Sequence, residues 1–155
     1  MRLAFAFALL ICQTFPGSGG STTEQTLTIK LVLQEQTRVE TFQEDFLSIA
    51  KAKVGSGVDS EASFSMVDSA SLTSELLDKV GVMLRIYSRM SCATDRREVK
   101  ALIGEELQFA LKEVDLQIEE ASNVIANTNN AGLVATAAKF RDELREIKKM
   151  LARPY

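Results

Sequence analysis

The chain has 155 residues, 46% hydrophobic and 25% charged, with 18 basic against 21 acidic side chains and a net charge of −3. A mildly acidic balance gives no electrostatic reason to bind nucleic acid. The complete absence of histidine excludes Ser-His-Asp and Cys-His catalysis, His-ligated haem and the Glu-x-x-His metal sites of helical bundles, and two cysteines are too few for a zinc site.

The N-terminus reads "MRLAFAFALLICQTFPGSGGS". One positive charge at Arg2 precedes an apolar run from Leu3 to Ile11, and Pro16 is followed by the small residues Gly17 to Gly20. This order predicts a secretory signal peptide over residues 1–20, cut near Gly19 or Gly20. The run is too short to anchor the chain across a bilayer. "LLIC" is not a lipoprotein box, because Ile11 is not small. Without Arg2 the net charge becomes −4, from 17 basic and 21 acidic residues. Residues 21–155 are then a single domain, secreted or periplasmic, with Cys92 its one cysteine and hence no internal disulfide.

The next segment carries two signals. "TLTIKLVL" alternates at Leu27, Ile29, Leu31 and Leu33, as a strand does. Val32, Val39, Phe42, Phe46 and Ile49 instead follow helical spacing, interrupted at Glu35. Nothing else in the chain alternates for such a length, so a strand would lack a partner. The segment is expected to be a long helix whose first turns are apolar on all sides.

"GSGVDSEASFSMVDSAS" is rich in Gly and Ser and predicts a loop with a short helix around Phe64 to Val67. A second helix is expected from Ser71, its cap, with Leu72, Leu76, Val80, Met83, Tyr87 and Met90 in register. Cys92 falls in the following connection, close to Arg89, Arg96 and Arg97. It is read first as a small buried hydrophobe closing the bundle end, next as an intermolecular disulfide partner, and last as a redox or catalytic thiol, for which the sequence offers no base and no resolving cysteine.

The third helix is expected over residues 96–127, opened by a capping box of Asp95 and Glu98. Its stripe is Ile103, Leu107, Ala110, Val114, Ile118, Ala121 and Ile125. Leu102, Phe109 and Leu116 form a second stripe spaced by seven. At about 100° per residue this stripe stands about 180–220° from Leu107, on the side opposite the main stripe. After the turn "NTNN", with Asn129 or Asn130 as cap, Leu133, Ala137, Phe140, Leu144, Ile147 and Leu151 recur at spacings of 4, 3, 4, 3 and 4. Pro154 ends this last helix.

Four such helices with short connections predict an all-α, antiparallel up-down-up-down four-helix bundle. In that topology Arg85, Arg89, Arg96, Arg97, Lys100, Lys148, Lys149 and Arg153 gather at one pole, away from Asp59, Glu61, Asp68, Glu119 and Glu120. The adjacent pairs Glu105/Glu106 and Glu119/Glu120 diverge and predict no catalytic site. No enzyme activity, metal or cofactor is expected. The expected function is protein–protein association, with itself or another protein, through Leu102, Phe109 and Leu116. The alternative is a ligand-binding bundle, for an apolar molecule in its core or an anion at its basic pole. Association requires a filled core and an exposed stripe; ligand binding requires a cavity among the four stripes.

Overall fold

The computed structural model describes residues 26–52 and 58–155. Among them lie four helices and no strand: α1 (Ile29–Ala52), α2 (Val58–Arg89), α3 (Ala93–Asn127) and α4 (Ala131–Leu151). They form a helical bundle in which α1 packs on α2, α2 on α3, α3 on α4 and α4 back on α1. The expected leader, residues 1–20, lies outside the described residues, so its cleavage is untouched by the fold.

The alternating segment is helical from Ile29. The Thr28 hydroxyl accepts a hydrogen bond from the Leu31 amide at 3.3 Å, satisfying a donor that a helix start leaves open. Leu27 is buried, and its amide donates to the Pro154 carbonyl at 2.7 Å, tying the entry of α1 to the end of the chain. The strand-like alternation has no structural role: Val32 is buried while Leu33 is 40% exposed. Helical spacing decides the burial, with Val32, Val39, Phe46 and Ala50 facing inward.

The serine-rich stretch is where the sequence misleads. From Val58 onward it is not a loop, because α2 begins there and runs unbroken, while residues 55–57 lie outside the described residues. Asp59 and Glu61 occupy the first turn, where the helix dipole favours negative charge. Met66 and Ala70 are buried together with Ser63, Ser69 and Thr73. The hydroxyls survive burial by returning to the helix backbone: Ser63 donates to the Asp59 carbonyl at 2.7 Å and Thr73 to the Ser69 carbonyl at 2.9 Å. Small polar side chains satisfied in this way fill the same role as alanine against a neighbouring helix.

α3 starts at Ala93, three residues before the expected start, with Cys92 in the N-cap position. No side chain caps this end, so the Asp95/Glu98 box is not formed as an N-terminal cap. The start of α4 follows expectation. The Asn130 Oδ1 accepts from the amides of Gly132 at 3.1 Å and Leu133 at 3.2 Å.

The core is filled by large side chains. All six stripe residues of α4 are buried, and Phe140 meets Phe42 and Phe46 with ring centroids 5.3 Å and 5.5 Å away. Hydrogen bonds fix the register of α2 on α3. Asp59 accepts from Thr128, Ser65 donates to Glu120, and Ser69 donates to the buried Gln117. Lys79 pairs with Glu106 at 2.7 Å. Residue numbers thus rise along α2 as those of their partners fall along α3.

Candidate functional site

The distribution of exposed apolar side chains is uneven. Among the described residues eight large hydrophobics are exposed, and seven of them lie on α2 and α3: Phe64, Leu72, Val82, Ile86, Leu102, Phe109 and Leu116. The eighth, Leu33, is on α1, and α4 contributes none. Leu102, Phe109 and Leu116 are 54%, 50% and 55% exposed, so the intramolecular core leaves half of each in water.

The stripe does not stand opposite the core, as an angle measured from Leu107 suggests. Leu107 lies at one edge of the buried arc of α3 and Val124 at the other, with Gln117 next to that second edge and packed on α2 through Ser69. Measured from the middle of that arc, the stripe is about 110° away, on the flank nearest α2. Phe109 accordingly borders a groove of about 200 Å³ with Leu72, Leu76, Lys79, Glu75 and Glu113. The Lys79 ammonium lies 5.9 Å from the Phe109 ring centroid while it pairs with Glu106. The candidate face therefore spans two helices rather than one.

The expected basic pole comes together only in part: Arg96 and Lys100 meet around Tyr87 and Tyr155, whereas Lys148 pairs with Asp115, nineteen residues along α3 from Arg96 and so about 28 Å away, because α4 is too short to reach that end. Arg85, Arg89, Arg96 and Arg97 are all exposed. The Arg96 guanidinium lies 5.0 Å from the Tyr87 ring, Tyr87 meets Tyr155 edge-on at 6.5 Å, and Lys100 lies 5.8 Å from the Tyr155 ring. The Tyr155 hydroxyl donates to the Lys100 carbonyl at 2.9 Å. Partial burial and the neighbouring Tyr87 raise the Tyr155 pKa above its ordinary value. Lys148 is held by Asp115 and Lys149 by Glu146 at 2.6 Å. Cys92 is exposed at this pole, which overturns the reading of it as a small buried hydrophobe.

One polar cluster escaped the sequence reading. On the seam of α1 and α4, Arg38 Nη1 lies 3.1 Å from Glu35 and 3.2 Å from Glu143. The two carboxylates thus share one guanidinium. The Glu35 side chain is only 13% exposed. Burial raises its pKa to about 7, Glu143 adds to the shift, and Arg38 opposes it. The signal was the break in the α1 stripe at Glu35, a charged residue in an apolar register. Its partner was invisible because Glu143 lies on another helix.

Among the described residues no group of three His, Cys, Asp or Glu side chains could hold a metal ion, and no helix is long and apolar enough to cross a membrane. Comparison with family models, with curated proteins and with solved structures finds no match to this chain.

Proposed function

We propose that the protein is an exported up-down-up-down helical bundle that acts by protein–protein association through the exposed face of α2 and α3. The charged start, apolar run and small residues of positions 1–20 support export to a secreted or periplasmic location, with the exported chain beginning near Gly20 or Ser21. The opposed numbering of partners along α2 and α3 supports the antiparallel order. One observation carries the functional reading: seven of eight exposed large hydrophobics fall on two adjacent helices, and none on α4. Scattered exposed leucines need no explanation, but concentration on one face of a bundle does.

Association fits better than ligand capture or catalysis. Large side chains occupy the middle of the bundle, where an apolar ligand would sit. At the basic pole aromatic rings already engage Arg96 and Lys100, which weakens its claim on a free anion.

A photo-crosslinking side chain at position 109, in the cells that make the protein, tests the reading. It should yield a discrete protein adduct, whereas the same group at the exposed Lys139 of α4 should not. Equal labelling from both positions would refute an association face on α2 and α3. N-terminal sequencing of the exported protein checks the leader, and an intact Met1 would contradict it.

A further inference from the structure

We infer that the occupant of this face is a second copy of the same chain, seated so that the two α3 helices run antiparallel about a two-fold axis at Phe109. The inference rests on the association reading and names its partner.

The first support is the symmetry of the stripe. Leu102 and Leu116 each lie seven residues from Phe109. A two-fold axis at Phe109 places each Phe109 against its counterpart and each Leu102 against the copy's Leu116. All three side chains are half in water, so the contact requires no unpacking of the core. The same patch serves both partners, as an isologous interface requires.

The second support is charge. Glu105 and Lys112 are exposed on the flank of the stripe that faces away from α2, one on each side of Phe109. Reversing the copy brings each Glu105 level with the copy's Lys112, giving two reciprocal opposite-charge pairs. On the other flank Lys79 stands level with Glu106. The reversed copy brings its own Glu113 to that level, so this acid also meets a cation. Glu75 and Glu106 share that flank and offset part of this attraction, and at the ends Glu98 comes level with the copy's Glu119. The last two are exposed, so their repulsion is weak and screened.

The arrangement has a geometric consequence. Cys92 lies seventeen residues from Phe109, at the exposed end of α3. At about 1.5 Å per residue the two thiols of the dimer are about 50 Å apart. The disulfide suggested by a lone cysteine therefore cannot form within this dimer.

The test uses the exported chain, beginning near Gly20 or Ser21, in which Cys92 is the only thiol. Light scattering over a concentration series should show a reversible monomer–dimer equilibrium without reductant dependence. Pulsed electron-spin measurement on Cys92-labelled dimer should give a distance near 50 Å. Phe109→Asp should be monomeric with an unchanged circular dichroism spectrum. Lys112→Glu should weaken the dimer roughly three- to tenfold, adding Glu105→Lys should restore it, and Glu119→Lys alone should tighten it. These exposed positions keep the test informative if Phe109→Asp fails to fold. A label separation under about 25 Å, half the distance set by the helix rise, would overturn the antiparallel seating. A monomer at every concentration up to roughly millimolar would overturn the second copy as occupant. In that case a discrete adduct from position 109 with another protein would still uphold the association reading, and absence of any adduct would sink both.

Discussion

Lys79 of α2 lies over the ring of Phe109 of α3, 5.9 Å from its centroid, and closes the exposed groove between the two helices. One face of the ring is thereby occupied by a cation from the same chain, and half of the residue remains in water. A cation held against an aromatic face at an exposed site contributes about 0.5–1 kcal/mol. The contact orients Phe109 without burying it.

The cost of removing Phe109 should therefore fall mainly on association rather than on folding. Phe109→Asp should lower unfolding stability by about 1 kcal/mol, since only half of the side chain is buried. Urea melts and circular dichroism measure this. A loss of several kcal/mol would mean that Phe109 belongs to the core.

Phe140 provides the contrast. It is fully buried on α4 and meets Phe42 and Phe46. Phe140→Ala should cost about 3–5 kcal/mol in denaturant melts, from lost transfer energy and the cavity left behind. A cost below about 1 kcal/mol would contradict a packed aromatic core.

Glu35 makes the fold sensitive to pH. Its carboxyl is held at a pKa of about 7 against an ordinary value of 4.5. Between those values the folded protein binds a proton that the unfolded chain has lost, so stability falls as pH rises through the window. Below the window both states are protonated and the effect vanishes. Above it both are ionised and the full penalty remains. Arg38 and Glu143 are the charges facing the group, and Arg38 offsets part of the penalty. Glu35→Gln, which resembles the protonated acid, should be more stable than the parent at pH 8 and should flatten the decline. Melts at a series of pH values test this, and a Gln variant less stable than the parent at pH 8 would reject it.

The Asn130 cap is expected to behave locally. Its Oδ1 satisfies two amides at the start of α4. Asn130→Ala should cost about 1 kcal/mol, and Asn130→Asp should retain most of the stability. Hydrogen exchange at Gly132 and Leu133 reads the effect directly: protection should fall there before it falls at Leu144.

Where one stripe met one core, periodicity was sufficient. Leu133 to Leu151 on α4 and Ile103 to Val114 on α3 are buried at the predicted positions, because helical spacing alone puts such residues on one side. The exclusion of histidine chemistry also came from the sequence alone. Tertiary structure decided three things. It made a helix of the serine-rich stretch, because Ser63 and Thr73 satisfy their hydroxyls on their own backbone and pack like alanine. It moved the Phe109 stripe from the back of α3 to its border with α2, because Gln117 and Val124 widen the buried arc on that side. It also joined Glu35 to Glu143 through Arg38, a pair 108 residues apart that no local pattern connects. Spacing along one helix fixes the directions of its side chains. Only the placement of the neighbouring helices decides which of those directions are filled.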